Sequence, residues 1–188
     1  MKTPELIVIG CSLGGMYALQ IILQALPQDF QTPIAVAQHR HKASNESLPS
    51  FLRRGSGLCV VNVDDKLHIK PNCVYMAPAD YHLLVERGVF HLSVDMAVAY
   101  SRPSIDVLSE SAADEYGDRV IGVVLPGANR DGTAGAQHIK KRGGMVVVQD
   151  PATAESPVMP KAVIDTVRVD RILPLDKIGP FLVELGRT

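Results

Sequence analysis

Short, unbroken apolar runs alternate with longer segments that carry their apolar residues on one stripe. Residues 6–9 read Leu-Ile-Val-Ile and end at Gly10. Comparable runs occupy 34–37, 58–63, 73–77, 120–125 and 145–148, and Ile172 marks a shorter one. Runs without polar alternation read as strands buried on both faces. Between them, 16–26 sets Leu19, Ile22, Leu23 and Leu26 at helical spacing. Further helices are expected over 45–54, from Pro103 to about Tyr116, over 133–141, from Pro160, and from about Asp176 to the end. Proline suits a first helical turn, where its missing N–H costs nothing. The middle differs: 81–86 and 89–94 flank Arg87-Gly88 and read as a tight hairpin. The pattern predicts an α/β fold in three layers. Its sheet is mostly parallel and doubly wound, with helices on both faces and an antiparallel hairpin at one edge.

A chain of 188 residues, 46% of them apolar, suits one domain over 1–188 with a large buried core. Lys and Arg total 19 against 20 Asp and Glu, so no basic excess exists to neutralise phosphates, and a nucleic-acid binder is not expected. The cysteines are Cys11, Cys59 and Cys73, odd in number and without CxxC spacing. Neither a disulfide framework nor a zinc knuckle follows, and the expectation is a reduced, cytoplasmic protein. The first apolar run is too short for a signal peptide or a membrane span.

Ligands of open α/β sheets sit beyond the carboxyl ends of the strands. Ser12 follows the first strand, His39 the second, and Asp131 a later one. A hydroxyl needs a base to become a nucleophile at neutral pH, and the base needs a carboxylate to fix its tautomer. Gly10-Cys11-Ser12-Leu13-Gly14 also fits the G-x-S-x-G elbow. Each residue has a plainer reading: Ser12 as a turn or cap residue, His39 as a satisfied polar group, Asp131 as the cap of the next helix. His39 and His41 have a metal-binding spacing, but matching further ligands are not evident, so no metal is expected.

Two familiar arrangements fit poorly. A dinucleotide-binding turn would need glycine where Ser12 stands, and an acidic residue where the second strand ends in Gln38-His39-Arg40. A lipase-type hydrolase orders its triad Ser, acid, His, whereas here the histidine precedes the acid.

Six segments in order, spanning nearly the whole chain, resemble the CheB family of protein-glutamate methylesterases. Residues 7–15, IVIGCSLGG, are similar to its "IGAS-x-GG" opening, and Gln38-His39 to its "QH" pair. YMAPADYH at 75–82 resembles "YIAPGDRH", and RPSID at 102–106 resembles "RPSVD". LPGANRDGTAG at 125–135 resembles "LTGMGNDGAAG", and Met159-Pro160 matches a late "MP".

The resemblance implies hydrolysis of glutamyl γ-methyl esters on chemoreceptors with release of methanol, with deamidation of receptor glutamines in some members. It places the triad on Ser12, His39 and Asp131 and the oxyanion-binding backbone N–H on Ala128. Arg102 and His82 become candidates for the rim of the substrate site. No organic cofactor or metal is implied. The partner would be the cytoplasmic helices of methyl-accepting chemoreceptors, met by positive charge from the Arg40, His41 and Arg130 loops. Regulated members carry an N-terminal receiver domain, and these 188 residues read as the catalytic domain with no receiver domain. Two departures stand out: Leu13 where a hydroxyl residue is common, and Pro126-Gly127-Ala128-Asn129 in place of "TGMG". They keep open an alternative, a weakly active or inactive CheB-like module that binds a signalling partner.

Overall fold

A computed structural model describes residues 3–12, 14–40 and 48–186. Leu13, His41 and the first three residues of the helix expected over 45–54 lie outside them. In chain order the elements are β1 (Leu6–Cys11), α1 (Gly15–Ala25), β2 (Ile34–Gln38), α2 (Leu48–Arg53), β3 (Cys59–Asn62) and β4 (Cys73–Met76). There follow β5 (His82–Glu86), β6 (Val89–Ser93), α3 (Ile105–Tyr116), β7 (Val120–Val124) and α4 (Thr133–Lys141). The chain continues through β8 (Met145–Gln149), α5 (Val158–Thr166), β9 (Arg171–Leu173) and α6 (Leu175–Gly186).

Seven strands form one parallel sheet in the order β3-β4-β2-β1-β7-β8-β9. All of β1 is buried, and its residues alternate between two cores. Leu6 and Val8 pack with Ile105, Leu108, Ile139 and Met159, on the side of α3, α4 and α5. Ile7, Ile9 and Cys11 pack with Leu19, Ile22, Ile178 and Leu182, on the side of α1 and α6. Successive strand side chains point to opposite faces, so a strand covered on both sides has to be apolar throughout. That requirement explains the unbroken runs in the sequence.

From β1 the chain builds outward through β2 on one side. It returns on the other with β7, which pairs with β1 through Leu6–Val120 to Gly10–Val124. The sheet therefore reverses direction at the β1/β7 boundary, and a crevice opens there beyond the strand ends.

The hairpin forms with Arg87 at φ 51° and Gly88 at φ 71°, the left-handed pair that a two-residue type I′ turn needs. β5 and β6 form a two-stranded sheet of their own beside the main one, and the 66–69 stretch flanks β6, with the Phe90 N–H donating to the Leu67 carbonyl at 2.8 Å. Leu83, Val85 and Phe90 face Leu108 and Ala112 of α3, and the Phe90 ring lies 4.8 Å from that of Tyr75. Pro103 does not open α3 but lies two residues before it, just outside the cap. Ser104 caps that helix, its Oγ accepting from the Val107 N–H at 3.4 Å. Similarly α5 begins at Val158, ahead of Pro160. The three cysteines are free. Among the described residues no helix is long and apolar enough to cross a membrane.

Candidate active site

Three strand ends converge at the crevice. Cys11 and Gln38 are register partners, so Ser12 and His39 leave adjacent strands side by side, and the His39 N–H donates to the Cys11 carbonyl at 3.0 Å. The Ser12 N–H donates to the Pro126 carbonyl at 2.9 Å, which ties the serine turn to the loop after β7. Gly14, at φ 78°, turns the chain into α1, a conformation a side chain would strain. Gly127 passes so close to the serine that a Cβ there would sit 3.1 Å from Ser12 Cβ and 2.3 Å from Met159 Cε. A side chain there would have to displace the end of Met159 and would crowd Ser12.

His39 Nε2 lies 2.6 Å from Asp131 Oδ2, with the His39 side chain 11% exposed and that of Asp131 fully buried. Asp131 needs several partners to remain charged in such a place. Its Oδ2 also accepts from the Ile105 N–H at 2.7 Å. Oδ1 accepts from Ser104 Oγ at 2.9 Å and from the N–H groups of Asp106 and Gly132, each at 3.0 Å. Three of these donors lie at the start of α3, where unpaired N–H groups and the helix dipole favour an anion. Burial by itself would raise the Asp131 pKa. The His39 bond and the N–H groups of Ile105 and Asp106 outweigh it and hold the carboxyl below its ordinary value.

Behind Asp131 lies a second carboxyl. Asp106 is 9% exposed and accepts from the Gly135 N–H at 2.7 Å. Burial pushes its pKa up to about 7, against the pull of the Gly135 N–H and with help from the negative charge of Asp131. Near neutrality one carboxyl of this pair is an anion and the other holds its proton for much of the time.

The proton on His39 can be placed. The Asp131 N–H donates to Asn129 Oδ1 at 3.2 Å, which turns Asn129 Nδ2 toward Ser101 Oγ at 3.3 Å and His39 Nδ1 at 3.4 Å. An amide NH₂ only donates, so Nδ1 is the accepting nitrogen and the ring proton sits on Nε2, toward Asp131. Nδ1 then carries the ring's lone pair, turned away from Asp131 and approached by the Asn129 amide.

Of the residues expected from sequence, Ser12, His39 and Asp131 all reach the crevice, and His39 and Asp131 are in direct contact. Among the described residues the Ser12 hydroxyl has no hydrogen-bond partner, and neither has the Ala128 N–H, which lies in the exposed part of the loop. His82, expected on the rim, is instead buried, 1% exposed. Its Nδ1 accepts from the Ser104 N–H at 3.2 Å and its Nε2 donates to the Met96 carbonyl at 3.1 Å. It supports Ser104, which in turn supports Asp131. Arg102 does stand on the rim, but its guanidinium is committed. It donates to Asp80 Oδ1 at 2.6 and 3.0 Å and to the carbonyls of Val94 and Asp95 at 2.7 and 2.9 Å. Arg40 likewise donates to the Ala77 carbonyl at 2.8 Å. Sequence reasoning missed Ser104, Asp106 and Asn129. The Arg102 to Asp106 motif was the available signal, since a helix start is a ready anion site.

Beside His39 a cavity of about 620 Å³ is lined by Arg40, Asp80, Ala97, Tyr100, Ser101 and Arg102. Among the described residues no group of three metal-ligating side chains comes together.

At the switch point of this doubly wound sheet, a histidine bonded to a buried carboxylate therefore stands one strand away from a serine turn. The chain belongs to the CheB methylesterase family, whose sequence profile matches residues 7–182. A protein of Leptospira interrogans is 43% identical over 184 residues, which cover 97% of this chain and 95% of that one. The protein-glutamate methylesterase/protein-glutamine glutaminase of Thermotoga maritima is 37% identical over 185 residues, 96% of this chain. This chain spans about half the length of that relative, 54%. The crystal structure of the Thermotoga maritima CheB methylesterase catalytic domain superposes with a TM-score of 0.93 at 37% identity, covering 98% of this chain and all of that one.

Proposed function

We propose that this chain is a cytoplasmic protein-glutamate methylesterase acting on methylated chemoreceptor helices through Ser12, His39 and Asp131. The observation that carries the reading is the 2.6 Å contact of His39 with a buried, five-fold hydrogen-bonded Asp131, one strand away from Ser12. Ser12 Oγ attacks the ester carbonyl carbon as His39 Nδ1 takes its proton, and Asp131 stabilises the resulting imidazolium. The Ala128 N–H meets the oxyanion of the tetrahedral intermediate. When that intermediate collapses, the methoxy group leaves with the proton from His39 as methanol, and the glutamyl acyl group stays on Ser12. Water then attacks the acyl carbon with His39 again as base, releasing the γ-carboxylate and restoring Ser12. A glutamine side chain passes through the same steps with ammonia as the leaving group.

Methanol release from a methyl-esterified chemoreceptor fragment tests the reading. Catalysed release supports it. A folded protein that leaves both the ester and a receptor glutamine intact would overturn it.

A further inference from the structure

Nine large apolar side chains are exposed among the described residues, and four of them fall within residues 94–100. Val94 is 67% exposed, Met96 88%, Val98 38%, and Tyr100 stands clear of the protein at 103%. This segment joins β6 to α3 and forms one wall of the cavity beside His39.

The segment is firmly held. The Val98 N–H donates to the Ser101 carbonyl at 3.2 Å and the Ser101 N–H returns a bond to Val98 at 2.8 Å, closing a two-residue turn. Its two central residues are Ala99 at φ 49° and Tyr100 at φ 63°. Such turns ordinarily use glycine or asparagine, so two side-chain-bearing residues here are strained. The base of the segment is fixed at several points. Arg102 grips the Val94 and Asp95 carbonyls, and His82 grips that of Met96. Asn129 holds Ser101 Oγ while also facing His39. An apolar crest on a strained, braced turn gains nothing from burial in this chain, and the bracing runs directly to the catalytic histidine.

We propose that the 94–101 crest, with Tyr100 at its tip, grips the polypeptide segment that carries the ester. Its occupant would be a stretch of substrate chain with an apolar side chain within a helical turn of the modified glutamyl residue. The proposal rests on the esterase reading and adds the determinant that favours a protein ester over a free one. The cavity that the crest borders, about 620 Å³, has the size of a site for a drug-sized ligand, far more than one side-chain methyl ester fills. The crest continues that cavity outward, so a chain lying over it delivers its ester toward His39. Tyrosine and methionine suit the task, because both supply large, adaptable contact area at interfaces.

The test compares the wild-type protein with Tyr100→Asn and Tyr100→Phe. Asparagine accepts the left-handed conformation, so the first variant removes the ring without disturbing the turn. One readout is the ratio of kcat/KM for a methyl-esterified receptor fragment to kcat/KM for a small glutamyl methyl ester. Tyr100→Asn should lower that ratio about tenfold, mainly through KM on the fragment, and Tyr100→Phe should restore most of it. The second readout is binding of the fragment to the Ser12→Ala protein, with and without Tyr100→Asn, which needs no turnover. An unchanged ratio, or equal losses on both substrates, would overturn the crest proposal. Fragment binding that depends on Tyr100 without any ester turnover by the wild-type protein would overturn the esterase reading and keep the crest as a docking surface.

Discussion

Asn129 holds its amide nitrogen 3.4 Å from Nδ1 of His39, the ring nitrogen turned away from Asp131. The corresponding position of the family's "LTGMGNDGAAG" motif is a glycine, which offers no such donor. Nδ1 is also the nitrogen that must take the Ser12 proton, so the amide and the serine compete for one lone pair. At 3.4 Å the bond is long, and a weak hydrogen bond is worth about 1 kcal/mol or less. Asn129→Gly should therefore raise turnover of a small ester by up to about fivefold. Steady-state kinetics with a soluble ester checks this. A fall in kcat would mean that Asn129 positions His39 rather than competing for it.

Asp131→Asn keeps the shape of the site and removes the charge. The amide can accept from the α3 N–H groups on one side only, and its NH₂ meets donors on the other. His39 then loses the partner that fixes its proton on Nε2. The expected loss in kcat is on the order of 10⁴, the scale known for this change in a serine protease. A thermal melt alongside the kinetics separates lost activity from lost fold. A folded variant within tenfold of wild type would remove Asp131 from the mechanism.

The carboxyl pair gives stability a pH signature. The Asp106 pKa is raised to about 7, so the folded protein binds that proton more tightly than the unfolded chain does. The associated stability is complete below the ordinary aspartate pKa and is lost as pH rises through about 7. Asp131, held low, works in the opposite sense: its contribution is present above the ordinary value and lost only in stronger acid. Between pH 5 and 8 only the first effect operates within this pair. The Tm of wild type should therefore fall relative to that of Asp106→Asn across this window, measured in matched buffers. Two parallel curves would contradict the assignment.

The sheet could be read from sequence because burial on both faces forces an unbroken apolar run, as in Leu6 to Ile9. The helices were legible where one face meets the sheet, and 133–141 agrees with α4 to the residue. That Ser12, His39 and Asp131 gather at the strand ends was legible because each follows such a run. What holds Asp131 was not legible, because Ser104, Ile105 and Asp106 precede it by 25 to 27 residues and meet it only through the packing of α3 on β1 and α4. His82 misled for a related reason. Sequence does not distinguish a histidine that faces solvent from one whose two nitrogens are satisfied inside. Arg102 belongs to the same class, a charged residue at a rim whose donors are turned inward to the chain. The hairpin was visible in its Arg87-Gly88 turn, but its separate position depends on the apolar face of Leu83 and Val85 meeting α3.

Ser12→Ala tests the central claim most directly. The side chain is small and ends a strand at a turn, so the variant should fold with an unchanged Tm. Methanol release from a methyl-esterified receptor fragment, followed for wild type and variant at equal concentration, should fall by about 10⁶-fold, the scale seen when a serine-protease nucleophile is removed. Turnover by a folded Ser12→Ala protein close to the wild-type rate would contradict nucleophilic catalysis by Ser12.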